Sequence, residues 1–234
     1  MKEYINTFNQ LSVRDVRKKY KTKQVLENIS FQASPGDCIG ILGENGCGKS
    51  TLLSILAGVL EADQGSFLLD DRNLLKKKKL RSRVVGYVPQ GTPLLQELTA
   101  LDNLKLWYAG SGYDLNEDLR QGVPALLGVS EFLKVPVSRM SGGMKKRLSI
   151  SCAVAHRPRI LLMDEPGAAL DLACKEEIAT YIRSFKAQGG IILLATHELP
   201  ELELCSQCYI MKQGILHPYH YDGDSHHLVE LLQP

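Results

Sequence analysis

Two hydrophobic rhythms run along this chain and divide it into three stretches. Residues 11–17 alternate apolar and polar side chains, the mark of a half-buried, edge-type strand. Residues 25–33 read as a second strand region, and Ser34-Pro-Gly-Asp37 as a turn. Between them, residues 18–24 read as a basic loop with one aromatic, Tyr20. The pattern then becomes continuous. Residues 38–42 form an apolar run that predicts a buried strand, and residues 51–57 predict a helix with Leu52, Ile55 and Leu56 on one face. A turn over 58–65, a short strand over 66–70 and a strand over 84–90 follow. From Gly91 to about Val137 strand signals disappear. Helices are predicted over 98–108 and 115–127, with Gly110-Ser-Gly112 between them. A further helix spans 145–155, with Leu148, Ser151, Cys152 and Ala155 inward. The strand rhythm then returns over 159–163 and 191–195, both apolar enough to be buried on both faces. A helix over 173–188, closed by Gly189-Gly190, separates these strands. Residues 201–205 read as helix, 208–214 as strand and turn, and a tail begins at Leu216. The expected fold is α/β: a core from residues 11–90 and 158–215 whose mixed sheet is flanked by helices. An N-terminal antiparallel β subdomain and a helical insertion over about 91–150 complete one domain across 1–234, with a tail over 216–234.

Composition narrows the class. The 234 residues carry 28 Lys+Arg against 26 Asp+Glu, a net +2. So balanced a charge argues against a dedicated nucleic-acid binder. No apolar run reaches bilayer length. The start, Met1-Lys-Glu-Tyr-Ile-Asn6, lacks the apolar core of a signal peptide. These features point to a cytoplasmic chain that meets a membrane only through a partner. The six cysteines are scattered, which suits free thiols in a reducing compartment. Cys205-x-x-Cys208 with His217, His220, His226 and His227 invites a zinc reading, but no second Cys pair or H-x₃₋₅-H spacing accompanies it. The basic cluster Arg72, Lys76–Lys79, Arg81 and Arg83 reads as a solvated face, with an anion or membrane-surface patch as the alternative.

The candidate chemistry sits at strand ends. Gly43-Glu44-Asn45-Gly46-Cys47-Gly48-Lys49-Ser50-Thr51 has the G-x-x-x-x-G-K-[ST] spacing of a phosphate-binding loop. It lies between a predicted strand and a predicted helix, where the mechanism needs it. Gly43, Gly46 and Gly48 allow positive φ, so consecutive N–H groups can face one anion. The helix N-terminus adds partial positive charge. Lys49 brings a full charge to the β- and γ-phosphates, and the Ser50 hydroxyl suits Mg²⁺. Gln90 closes the strand over 84–90, and a glutamine there can reach a metal or its water. Ser141-Gly142-Gly143 opens a helix, as either a second anion site or an ordinary N-cap. Asp164 and Glu165 end a central strand, where adjacent carboxylates are costly unless used. Asp164 suits Mg²⁺ and Glu165 suits general-base activation of water. Asp171 stands where it would cap the following helix. His197 follows the last central strand at the same sheet edge. Tyr20 is placed to stack on a base or merely to sit exposed in a loop. Trp107 and Tyr108 are expected to pack.

Taken in order, these motifs resemble the ATP-binding cassette family, the nucleotide-binding subunits of membrane transporters. The likeness spans about Leu11 to Gly214. Tyr20 resembles the adenine-stacking aromatic, Gly43–Thr51 the Walker A loop and Gln90 the Q-loop glutamine. Met140-Ser-Gly-Gly-Met144 looks like the family signature, usually Leu-Ser-Gly-Gly-Gln. Ile160–Glu165 resembles Walker B with its catalytic Glu, Ala168–Asp171 the D-loop, and His197 the switch histidine. The resemblance implies ATP and Mg²⁺, with Ser50, Gln90 and Asp164 toward the metal. It implies a head-to-tail pair of cassette chains, each ATP between Walker A of one and Ser141/Gly143 of the other. It further implies a separate transmembrane permease on the inner face of the cell membrane, energised by hydrolysis at Lys49, Glu165 and His197. The Gln90 segment and the helical insertion would pass the closing motion to that permease. Met144, Gly167 and Ala168 depart from the common pattern, and tuning of affinity or rate is expected from them. An export-type transporter is the leading reading. A soluble cassette ATPase on ribosome or DNA, which would carry two cassettes or a coiled-coil insertion, and a non-hydrolysing regulatory subunit are the alternatives.

Overall fold

The computed structural model describes residues 8–221. Two sheets organise it. A four-stranded antiparallel sheet has the order β2-β1-β4-β5, built from β1 (Leu11–Tyr20), β2 (Lys23–Ala33), β4 (Gln64–Leu69) and β5 (Arg72–Asn73). A six-stranded mixed sheet has the order β10-β9-β3-β8-β7-β6. Its strands are β3 (Cys38–Leu42), β6 (Val85–Val88), β7 (Ile160–Asp164), β8 (Ile191–Ala195), β9 (Gln207–Lys212) and β10 (Ile215–Tyr219). All pairings in it are parallel except β9 with β10.

The central strands are apolar along their length, save for Asp164 at the end of β7, because both of their faces are covered. Ile160 and Leu162 of β7 face one core, with Ile39, Ile41 and the helix α1 (Lys49–Ala57). Leu161 and Met163 face the other, with α3 (Ala100–Tyr108), α6 (Gly142–Ala153) and α7 (Leu172–Ala187). Side chains alternate across a strand, so one run of apolar residues serves two cores.

The helical stretch appears between β6 and β7 as expected, beginning with α3. The expected helix over 115–127 is two pieces, α4 (Leu115–Gln121) and α5 (Val123–Leu126). Pro124 lies in the first turn of α5. A proline there has no N–H to carry the α4 ladder onward, and Gly122, in an extended conformation, separates the two pieces. Other boundaries move as well. β1 continues through Lys18–Tyr20, where a loop was expected, and the hairpin turn shrinks to Lys21 and Thr22. The basic cluster includes a short helix, α2 (Lys78–Val84). The signature-like helix α6 starts at Gly142, with Ser141 as its N-cap, and ends at Ala153. The last helix, α8 (Leu199–Leu202), comes earlier than 201–205. The tail expected from Leu216 is ordered strand through Tyr219 as part of β10. The expected tail residues His226 and His227 lie outside the described residues. Trp107, expected to pack, is 41% exposed, whereas Tyr108 is buried.

Candidate functional site

Four parallel strands end on one edge of the mixed sheet, and each delivers a candidate residue there. β3 runs into the glycine loop, β6 into Pro89-Gln90, β7 into Asp164-Glu165 and β8 into Thr196-His197. A cavity of about 320 Å³ opens at this edge. It is lined by Asn45, Gly46, Gly48, Lys49, Ser50, Thr51, Gln90 and Glu165.

The loop has the conformation that its glycines permit. Gly43, Gly46 and Gly48 take φ of 150°, 81° and 120°. Two of them also answer to crowding. A Cβ on Gly43 would stand 2.5 Å from the Met211 carbonyl, and one on Gly48 would stand 2.9 Å from the Val25 carbonyl. Gly46 has open space around it, so φ alone demands glycine there. Lys49 is 5% exposed. Its Nζ donates to the Gly43 carbonyl at 2.6 Å and the Glu44 carbonyl at 3.0 Å, which holds the ammonium over the loop's mouth.

Glu165 is the meeting point of the other strands. Gln90 Nε2 donates to Glu165 Oε2 at 2.7 Å, and His197 Nδ1 lies 3.4 Å from Glu165 Oε1. Glu165 is almost buried while the His197 side chain is 49% exposed, so the pair faces outward through the histidine. The Glu165 backbone takes φ 48°, unusual for a non-glycine residue and the kind of strain that collects at functional sites. Next to it, burial holds the Asp164 carboxyl above the usual carboxylate range. A hydrogen bond from Ser50 and the Lys49 charge oppose that rise. Serine hydroxyl, carboxylate and carboxamide oxygens are the hard donors that Mg²⁺ takes beside phosphate, so Ser50, Asp164 and Gln90 fit that ion.

Tyr20 and the signature-like residues stand apart from this cavity. Tyr20 is exposed at the end of β1, with Lys18 Nζ 5.5 Å from its ring centre. Ser141 is the N-cap of α6, its Oγ accepting from Met144 N at 3.2 Å. Ser141 is exposed and Gly143 partly so, neither lining the cavity. One chain does not bring its own signature to its own phosphate loop. Asp171 caps α7 as expected, accepting from Cys174 N at 2.9 Å.

Two further residues enter the site. Glu201 is a largely buried carboxylate that accepts from the Gly167 N–H and the Thr196 hydroxyl, and burial raises its carboxyl above the usual range. A side chain at position 167 would meet the end of this carboxylate and need it to turn aside. Lys146, from α6, directs its Nζ at the Glu165 and Pro89 carbonyls. Neither carried a sequence signal: Glu201 sat in a predicted helix, and Lys146 in a run of three cations. The thiols are all free, and no zinc-like cluster exists among the described residues.

Known proteins share this architecture. The family model for ABC transporters matches residues 26–168. A Nod factor export ATP-binding protein of Sinorhizobium fredii is 34% identical over 208 residues, 87% of this chain and 60% of that protein. A linearmycin resistance ATP-binding protein of Bacillus subtilis is 31% identical, covering 87% of this chain and 67% of its own. The chain thus spans about three fifths to two thirds of the length of these relatives. Among solved structures, an ATP-binding subunit of an ABC transporter superposes with TM-score 0.81 at 27% identity, covering 97% of this chain and 95% of that one. A dimeric post-hydrolysis state of an ATP-binding cassette bound to ADP and Pi superposes with TM-score 0.80 at 26% identity, covering 92% and 100%.

Proposed function

The chain belongs to the ABC transporter family, and on that premise we propose that it is the ATP-hydrolysing subunit of an export-type transporter whose membrane-spanning part is another chain. The observation that carries this reading is the position of Glu165. It is held between Gln90 and His197 at the mouth of the loop that carries Lys49. The loop amides and Lys49 bind the phosphates. Glu165 takes the proton of a water that attacks the γ-phosphorus, and the bond to the β–γ bridging oxygen breaks to leave ADP. His197 steadies the γ-phosphate from the exposed side. Most of the catalysis is positioning and charge neutralisation, as phosphoryl transfer requires. Ser50, Asp164 and Gln90 would hold Mg²⁺, which neutralises charge on the phosphate oxygens. Tyr20 would stack on the adenine.

The signature on α6 points away from its own loop, which supports a head-to-tail pair in which Ser141 and Gly143 meet the partner's nucleotide. The membrane partner has a seat of its own. A groove of about 1040 Å³ is lined by Tyr87, Trp107 and Tyr113, with Arg83 and His156 beside them. It adjoins Pro89, so a chain docked there senses the Gln90 segment. No helix among the described residues is long and apolar enough to cross a membrane. The chain works as a peripheral subunit at the inner face of the cell membrane. The export sense comes from the two relatives, named for Nod factor export and for linearmycin resistance.

The test has two arms. Phosphate release from MgATP should fall at least a hundredfold in Glu165→Gln, a loss typical of removing a positioned base. The same variant, tagged and held with MgATP, should recover a polytopic membrane protein in equal amount from detergent-solubilised native membranes. Turnover undiminished in Glu165→Gln would overturn the site. Ribosomal or DNA-repair proteins in place of a membrane protein would overturn the transporter.

A further inference from the structure

We infer that Lys146 is a positioning residue for ATP hydrolysis: from the signature helix α6, its ammonium holds the Pro89 and Glu165 carbonyls and thereby sets the geometry of the Gln90–Glu165 pair. The inference rests on the roles proposed above for Glu165 and Gln90, and it concerns how they are held.

The geometry is direct. Lys146 Nζ lies 3.4 Å from the Glu165 carbonyl oxygen and 3.5 Å from that of Pro89. The first carbonyl belongs to Glu165 itself. The second is bonded to the amide nitrogen of Gln90, so a shift of Pro89 O turns the Gln90 backbone. These two residues are the ones joined by the 2.7 Å bond from Gln90 Nε2 to Glu165 Oε2. One ammonium therefore ties together the two strand ends that the carboxamide–carboxylate bond already spans.

Glu165 needs such a restraint. Its φ of 48° lies in a region that costs free energy for a side-chain-bearing residue and persists only when surroundings over-determine it. The Glu165 N–H donates to Ala195 O at 2.9 Å, which fixes one side of the residue to β8. The bond to Lys146 fixes the other side, to α6. The lysine stem is partly buried, and burial holds its pKa below the ordinary lysine value, with the charges of Asp164, Glu201 and Glu165 opposing that fall. The neighbouring cation, Arg147, turns to Glu177 and the Leu127 carbonyl instead.

The placement also has a direction. Lys146 lies on the same helix as Ser141, which caps its start, and Gly143 in its first turn. A displacement of that helix moves the ammonium and with it the Glu165 carbonyl. The side of the chain that would meet a second chain's nucleotide is thus joined to the pair that would act on this chain's own.

The experiment is steady-state hydrolysis of MgATP by the full chain and its variants, with thermal unfolding recorded for each. In Lys146→Met the stem is kept and both bonds are lost. The expected result is a kcat lower by about tenfold or more, since small misplacements cost rates of that order. KM should stay within about twofold, because nucleotide binding is untouched. Lys146→Arg, which can still reach both carbonyls, should recover a large part of kcat. A merely structural lysine would lower the unfolding temperature without this split between kcat and KM. A kcat within about twofold of the parent, or a raised KM with kcat intact, overturns the inference. If Lys146→Met does not fold, Lys146→Gln is judged by the same two constants, since its shorter arm cannot span both carbonyls. Glu165→Gln run alongside separates the failures. If that variant is inactive and Lys146→Met is normal, only the role of Lys146 falls. If that variant turns over normally, the reading of Glu165 falls first.

Discussion

At the residue level the phosphate loop distinguishes three glycines that share one motif. Gly46 needs only its φ of 81°, since nothing lies within 4 Å of where a Cβ would stand. Gly43 needs its φ of 150° and also the space next to the Met211 carbonyl of β9. Alanine at 46 should therefore cost about 1–2 kcal/mol of backbone strain and leave the loop's shape intact. Alanine at 43 adds a clash with backbone, which has no rotamer to yield. We expect Gly46→Ala to keep ATP binding within about tenfold of the parent, while Gly43→Ala loses well over tenfold. Titration with a fluorescent ATP analogue reads both. Equal losses in the two variants would mean that crowding by β9 does not matter. The obstacle at Gly167, where the family resemblance leads one to expect threonine, is of another kind, the end of a side chain that can turn. The Glu201 carboxylate occupies the space a side chain would use and accepts the Gly167 N–H.

Among the elements, the end of α6 shows how a half-buried titratable group marks a packed junction. His156 follows that helix, and its Nε2 lies 3.2 Å from the Val85 carbonyl of β6. Burial lowers the imidazole's affinity for a proton below its ordinary value of 6.5, with the Val85 bond opposing. The native state thus holds the ring neutral where the unfolded chain would protonate it. The contribution to stability is complete above about pH 6.5 and shrinks as pH falls toward the lower, native value. In His156→Gln the loss of stability from pH 7 to pH 5 should be shallower than in the parent. Urea unfolding at a series of pH values measures it, and other titrating groups cancel in the difference. Parallel curves would show that His156 does not titrate differently on folding. What could be read in advance at this scale follows the strength of the local rhythm. The buried strands β3, β7 and β8 and the glycine loop were legible because an unbroken apolar run or a fixed Gly-Lys-Ser spacing admits few alternatives. The break at Gly122 was missed because the apolar period runs on past Pro124. β10 was missed because Ile215–Tyr219 shows no burial pattern of its own and is strand only by pairing with β9. Lys146 was illegible, since a lysine stem that turns inward and one that turns to solvent have the same sequence.

For the whole molecule, the decisive feature is that Ser141 and Lys49 do not share a cavity. Ser141 caps α6 and is exposed, outside the cavity that Lys49 lines. If the working unit is a head-to-tail pair, each nucleotide needs Lys49 from one chain and Ser141 from the other. A chain with Lys49→Ala and a chain with Ser141→Arg should each be inactive alone. Mixed and isolated as a pair, they form one composite site from the intact Lys49 of the second and the intact Ser141 of the first. The other site loses both residues. Hydrolysis should then reappear, at up to about half the parent rate if the two sites are independent, because a two-fold pair has two equivalent sites. The readout is phosphate release from the doubly tagged pair, against each variant paired with itself. Recovery separates complementation in trans from any arrangement in which one chain completes its own site. In that arrangement the mixed pair would contain no chain with both residues intact and would stay inactive. Recovery well below half would report coupling between the sites, and the link from α6 through Lys146 to Glu165 supplies a route for it. Adding Lys146→Met to the Ser141→Arg chain decides between the two origins. That chain provides the working Glu165, so hydrolysis should fall by about tenfold again. The same substitution in the Lys49→Ala chain acts on a Glu165 that is already idle and should change much less.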